Sequence, residues 1–184
     1  VDVNGWLAEL LDFFEPACAD ADVRLERQLG PSLPQIMVDR DLMKQAVLNL
    51  LNNAVQAMHG GGTLRVRTWS TGDRVRIEVS DTGTGIPPDV LPRIFDPYFT
   101  TRDAGTGLGL PTVRRIVAEH GGEIGVESRL GHGTTFTVTL PVPPNLAGEE
   151  LRGLPGARVV SGDEAASHLV PPSPSGRPSK AGDR

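Results

Sequence analysis

Leu7, Leu10, Leu11 and Phe14 recur at i, i+3, i+4 and i+7, the spacing of one helix face. Val23, Leu25 and Leu29 alternate with charged residues and predict a strand, and residues 36–38 predict a second, short one. Asp39 or Asp41 can cap a long helix over residues 41–58, and Gly60-Gly61-Gly62 is expected to end it. Residues 63–70 and 74–80 alternate at period two around Thr71-Gly72-Asp73, a hairpin pattern. Residues 110–120 place Leu110, Val113, Ile116 and Val117 on one helical face. A second hairpin is expected from residues 123–128 and 134–140, around Gly131-His132-Gly133. Helices mixed with antiparallel strands in this way predict helices on one face of a sheet.

Composition then sets limits. The chain has 184 residues and a net charge of -5. A protein that grips nucleic acid by its phosphates carries a basic stripe, so no nucleic-acid partner is expected. Cys18 is the single cysteine, which excludes an internal disulfide and a multi-cysteine zinc site. No apolar run reaches the roughly 18 residues of a membrane span, and no signal peptide opens the chain. From Pro141 onward lie eight of the 16 prolines, no aromatic residue, and as many bases as acids. Such a stretch has little apolar surface to offset chain entropy. A folded domain over residues 1–141 and a disordered Pro/Gly/Ser-rich tail over 142–184 are therefore expected. The acidic balance belongs to the domain. The start at Val1 suggests a piece of something longer.

Four stretches carry chemistry. On the helix over residues 41–58, at about 100° per residue, Gln45, Asn49, Asn52, Asn53 and Gln56 share one arc while Val47, Leu50, Leu51 and Ala54 share the other. Solvated helix faces usually carry Glu, Lys and Arg, and Asn is a mediocre helix former. A carboxamide offers an oxygen to a cation and a donor to an anion, so Asn49 and Asn53 could hold a Mg²⁺ that also binds phosphate. In Asp81-Thr-Gly-Thr-Gly-Ile86, Asp81 shares parity with Val75, Ile77 and Val79 and so points toward the core side. There it could accept a hydrogen bond from an exocyclic amine, while Gly83 and Gly85 let the backbone approach a flat ligand. Gly105-Thr-Gly-Leu-Gly-Leu110 leads into a helix, where backbone amides attract phosphate. No preceding strand makes it a dinucleotide fingerprint, and no P-loop sequence occurs. Phe95-Asp-Pro-Tyr-Phe-Thr-Thr-Arg102 reads either as a loop pinned to the core by its three aromatics or as a mobile lid whose aromatics anchor its hinge while Thr101 and Arg102 reach phosphate.

The order and spacing of these four stretches resemble the catalytic ATP-binding domain of bacterial two-component sensor histidine kinases. Asn49-Leu-Leu-Asn-Asn-Ala-Val-Gln-Ala57 matches that family's asparagine box. Asp81–Ile86 and Gly105–Leu110 match its glycine boxes, Phe95–Arg102 its phenylalanine box, and Gly131-His-Gly-Thr-Thr-Phe136 its closing element. The wording of the boxes is most like kinases of the nitrogen-regulation and oxygen-sensing type. The resemblance implies the Bergerat ATP-binding fold. This is a two-layer α/β sandwich, a mixed, mostly antiparallel sheet of about five strands with three helices on one face. It implies that Asn53 ligates Mg²⁺ with Asn49, Gln56 and Ala57 beside it, and that Asp81, Gly83, Gly85, Ile86 and Thr134 shape the adenine pocket. Thr100, Thr101, Arg102, Gly105, Gly107, Leu108, Gly109 and Leu110 would then surround the phosphates. Arg102 stands where many relatives have Lys, and Gln56 where some have a basic residue.

The same fold serves ATPases in which a Glu one turn before the Mg²⁺ asparagine activates water. Here that position is Asn49, and a carboxamide is not a base at neutral pH. The resemblance thus implies a phosphoryl donor to a histidine. An anti-sigma-type serine kinase and a nucleotide sensor without transfer activity remain as alternatives. The four histidines, His59, His120, His132 and His168, lack the sequence context of a phosphoacceptor, and His59, His120 and His132 read as structural. The acceptor domain, dimerisation helices that make the full-length protein a homodimer, and a response regulator would therefore be separate partners. No membrane contact is expected of this fragment, and the cytoplasm, where ATP is available, is its expected location.

Overall fold

The computed structural model describes residues 1–100 and 106–144. From residue 145 onward the expected tail lies outside the described residues. In chain order the elements are α1 (Val3–Asp20), β1 (Val23–Leu29), α2 (Arg40–Ala57), β2 (Gly62–Thr71), β3 (Arg74–Asp81), a 3-10 turn (Leu91–Arg93), α3 (Gly109–Glu119), β4 (Glu123–Arg129) and β5 (Gly133–Pro141). Asp2 caps α1 by accepting from the Gly5 N–H. Asp39, rather than Asp41, caps α2, accepting from the N–H groups of Asp41 and Leu42.

The strands form one sheet in the order β1-β2-β3-β5-β4. Only β1 and β2 run parallel; the other pairings are antiparallel. Parallel neighbours need a long crossover, and α2, which lies between them in sequence, supplies it. Burial alternates along the strands. Leu64 and Val66 of β2, Val75, Ile77 and Val79 of β3, and Phe136, Val138 and Leu140 of β5 point inward. The helices cover that face: α1 packs on β1 and α2, α2 on the central strands and α3, and α3 on β4. The core they enclose includes Trp6, Leu11, Leu50, Leu51, Ile77 and Ile116. Val142, just past β5, is also buried and donates its N–H to Asp73 O at 2.8 Å. This is the two-layer sandwich expected from the sequence. Among the described residues no helix is long and apolar enough to cross a membrane.

Two local expectations change. Residues 36–38 form no strand. Ile36 is fully buried but exchanges hydrogen bonds only with Val1, and Pro34 two residues earlier has no N–H to extend a ladder. The three glycines do not end α2, which already stops at its cap residue Met58. Gly61 (φ 82°) instead turns the chain past β1, where a Cβ would lie 2.7 Å from Asp22 O.

Candidate nucleotide-binding site

The site begins at the end of the central strand. Period-two alternation carries Val75, Ile77 and Val79 inward, and Asp81 continues the series as a buried carboxylate. A buried carboxylate needs donors. Asp81 Oδ1 accepts from the Gly83 N–H at 2.8 Å and from the Thr134 N–H at 3.3 Å. Thr134 is the β5 residue directly opposite Asp81, and it too is buried.

The loop after β3 is held from two sides. Ala57, at the end of α2, accepts from the Thr84 N–H at 3.0 Å, and a Cβ on Gly83 would lie 2.5 Å from the same Ala57 oxygen. On the other side the Gly131 N–H donates to Thr84 O at 2.7 Å. Gly85 takes φ 68°, and a Cβ there would lie 2.2 Å from Arg129 O. The half-buried Ile86 donates its N–H to Ser128 Oγ at 2.8 Å. Ser128 in turn lies 3.0 Å from Gly133 O and 2.9 Å from Thr134 Oγ1. The sequence reading missed Ser128 and Gly133 as site residues. Ser128 was findable: it ends the Ile124, Val126 parity of β4 as Asp81 ends that of β3. A Cβ on Gly133 (φ 106°) would lie 1.9 Å from Asp81 O, so no other residue fits there.

The carboxamide face of α2 forms as expected. Leu50, Leu51 and Ala54 are buried, Asn49 and Asn53 half-buried, and Gln45, Asn52 and Gln56 exposed. Facing Asn53 is the start of α3, where a Cβ on Gly109 would come within 4.0 Å of Asn53 Nδ2. The N-cap of α3 is Leu108, which provides no side-chain acceptor for the first-turn N–H groups. Leu108 is exposed, and Gly109 and Leu110 are half-buried.

The aromatic loop joins these parts. Phe95 packs edge-on against Phe136 of β5, with ring centres 6.5 Å apart, and Arg114 of α3 lies over its ring at 5.9 Å. Phe99 is half-buried under Arg93 at 4.3 Å. Tyr98 differs from expectation, being 77% exposed. Its anchoring is through the backbone: at φ 64° it donates its N–H to Gly107 O at 3.0 Å, and a Cβ on Gly107 would lie 2.5 Å from Tyr98 C. Thr100 is exposed. Thr101, Arg102 and Gly105 lie outside the described residues.

His120 and His132 make structural contacts. His120 Nε2 accepts from the Asp39 N–H at 2.9 Å while Nδ1 lies 2.7 Å from Ile116 O, tying the end of α3 to the cap of α2. His132 Nδ1 lies 3.1 Å from Leu130 O within its own turn.

The arrangement fits a metal-bound nucleotide. A buried carboxylate sits beside closely packed glycines, and the carboxamide of Asn53 faces a helix N-terminus without a side-chain cap. Among the described residues no group of three His, Cys, Asp or Glu side chains is placed to hold a metal. A Mg²⁺ at Asn53 would thus take most of its oxygens from phosphate and water, its usual habit.

Comparison with known proteins identifies the family. Residues 38–144 match the family described as "Histidine kinase-, DNA gyrase B-, and HSP90-like ATPase". The chain is 42% identical over 145 residues to the signal transduction histidine-protein kinase AtoS of Escherichia coli (strain K12), covering 78% of this chain and 24% of AtoS. Full-length ShkA, solved in complex with AMPPNP, is 34% identical with a TM-score of 0.70, over 77% of this chain and 30% of that one. The catalytic domain of histidine kinase ThkA is 31% identical with a TM-score of 0.71, over 79% of this chain and 95% of that one. ThkA has also been solved with the response regulator protein TrrA, at 28% identity and a TM-score of 0.68 over 79% of this chain and 42% of that one. The chain thus spans about a quarter of the length of AtoS but nearly all of a solved catalytic domain. On that coverage, the chain belongs to the histidine kinase-, DNA gyrase B-, and HSP90-like ATPase family, among its histidine-kinase catalytic domains.

Proposed function

We propose that this chain binds Mg²⁺-ATP and donates the γ-phosphate to a histidine on a separate dimerisation and phosphoacceptor domain, in two-component signal transduction. The observation that carries the reading is the buried Asp81 carboxylate, fixed by two backbone N–H groups at the end of the central strand. An ionised carboxylate only accepts, so it suits the exocyclic amine of adenine and opposes the carbonyl of guanine. Gly83, Gly85, Ile86 and Thr134 would shape the adenine pocket. Asn53 would hold the metal with Asn49, Gln56 and Ala57 alongside. Gly105, Gly107, Leu108, Gly109 and Leu110 would present backbone amides to phosphate, and Thr100, Thr101 and Arg102 would approach it from the aromatic loop. A bound Mg²⁺ supplies positive charge to the phosphate oxygens as the γ-phosphoryl is transferred.

Asn49 gives the site no base at the position where a water-activating Glu would stand, which favours transfer over hydrolysis. AMPPNP in ShkA and TrrA on ThkA support the nucleotide and the response-regulator partner. The acceptor histidine and the helices of a homodimer would come from outside this chain, and the domain would work in the cytoplasm without nucleic-acid or membrane contact. Titration with a fluorescent ATP analogue, with and without Mg²⁺, tests the assignment. The native chain should bind more tightly with the metal, and Asn53→Ala should lose that dependence. Persistent dependence in the variant would place the metal elsewhere.

A further inference from the structure

Ser128 lies at a junction of hydrogen bonds beside Asp81. Its oxygen is 2.8 Å from Ile86 N, 3.0 Å from Gly133 O and 2.9 Å from Thr134 Oγ1. A serine hydroxyl has one proton and two lone pairs. The Ile86 N–H uses one lone pair, since it can only donate. The Gly133 carbonyl can only accept, so a bond to it uses the serine proton. The remaining partner, the Thr134 hydroxyl, must then donate to the second lone pair. This arrangement makes three bonds. Turning the Ser128 proton to Thr134 would make only two and leave the carbonyl without its serine donor.

We propose that Ser128 is a specificity-determining positioning residue that turns Thr134 into an acceptor. With its one proton held by Ser128, the Thr134 hydroxyl can only accept from any further partner. Its backbone N–H is likewise committed, to Asp81. The carboxylate and the hydroxyl next to it then both reject a ligand carbonyl and accept a ligand amine. The inference rests on the adenine reading above and deepens it: selection against guanine is set by a residue two bonds removed from the base. A site built with fixed hydrogen-bonding polarity discriminates because the wrong ligand leaves buried groups unpaired.

The test is the ratio of GDP to ADP dissociation constants, measured by calorimetry on the full chain. Native protein should favour ADP. Ser128→Ala frees the Thr134 proton to rotate and donate, so the preference should fall about tenfold, chiefly through tighter GDP binding. Ser128→Cys keeps the side-chain volume with a weak donor and acceptor and should behave like the alanine variant, so a cavity is not needed for the effect. Ser128→Thr restores a hydroxyl and should restore the preference. In a Thr134→Val background, where no hydroxyl proton remains to be released, Ser128→Cys should leave the ratio unchanged. A loss of affinity that is equal for ADP and GDP in the Ser128 variants would overturn the proposal and reduce Ser128 to a structural role. Native protein with no preference for ADP would overturn the adenine reading itself, and this inference with it.

Discussion

Thr134 donates its backbone N–H to Asp81 Oδ1 across 3.3 Å, from the position directly opposite it on β5. The bond ties the carboxylate into the pairing of β3 and β5 as well as fixing it as a candidate ligand contact. Two substitutions separate those roles. In Asp81→Asn the carboxamide oxygen can still accept from Gly83 and Thr134, so the fold should persist. The NH₂ group then presents donors where an acceptor stood, and affinity for an ATP analogue should fall by at least about tenfold. Asp81→Ala should in addition destabilise the domain by about 1–3 kcal/mol, since two buried N–H groups lose their partner. Analogue titration beside thermal melts checks both; unchanged affinity in Asp81→Asn would remove the adenine assignment.

Gly85 and Gly72 share a left-handed backbone, at φ 68° and 59°, but differ in surroundings. Around Gly72 a Cβ meets nothing within 4 Å, whereas at Gly85 it would lie 2.2 Å from Arg129 O. Gly72→Ala should therefore cost only the conformational penalty, about 1–2 kcal/mol. Gly85→Ala should cost distinctly more, because the loop must part from β4, and it should weaken nucleotide binding as well. Urea unfolding of the two variants measures the difference, and equal losses would contradict the close approach.

Glu9 on α1 pairs with Lys44, at 3.3 Å, and with Arg40, both on α2. The hydrogen bond from Lys44, then that from Arg40, holds its carboxyl below its ordinary value near 4.5. A lowered folded-state pKa means that the stabilisation is present above the ordinary value and is lost as pH falls through the lowered one. The residue is exposed, so the effect is small and screened by salt. Glu9→Gln should melt slightly earlier than the native chain at about pH 7, and the gap should narrow as the pH falls below the ordinary carboxylate value. A gap that stays constant over that range would show that the ion pairs are not its source.

Much of this was legible in the sequence, for reasons visible in particular residues. Period two carried Asp81 to the core face of its strand, and the 3.6-residue period separated Leu50 and Ala54 from Asn49 and Asn53. Both depend only on local geometry. What sequence alone concealed depends on contacts between distant segments. Ile36 looked like a strand residue because burial and strand both select apolar side chains, and only the pairing with Val1 shows that no ladder forms. Tyr98 looked like an anchor because it is aromatic, yet its backbone contact with Gly107 does the anchoring. The glycines at 60–62 looked like a helix end, but the helix stops before them and Gly61 serves the passage past Asp22. Ser128 lay on a readable parity, yet its importance comes from Ile86, Gly133 and Thr134 converging on one oxygen.

The central claim is that the chain hands a phosphoryl group from ATP to a histidine that it does not itself contain. The direct measurement mixes the chain with γ-labelled ATP, Mg²⁺ and a separately supplied histidine-bearing four-helix dimer of the family, then treats the labelled acceptor with acid. The account predicts label on the dimer that appears only with the chain present, is lost in Asp81→Asn, and is released by acid, as a phosphorus–nitrogen bond requires. Label that survives acid would identify a hydroxyl acceptor. ATP binding with no label on any histidine acceptor would leave a nucleotide sensor in place of a kinase.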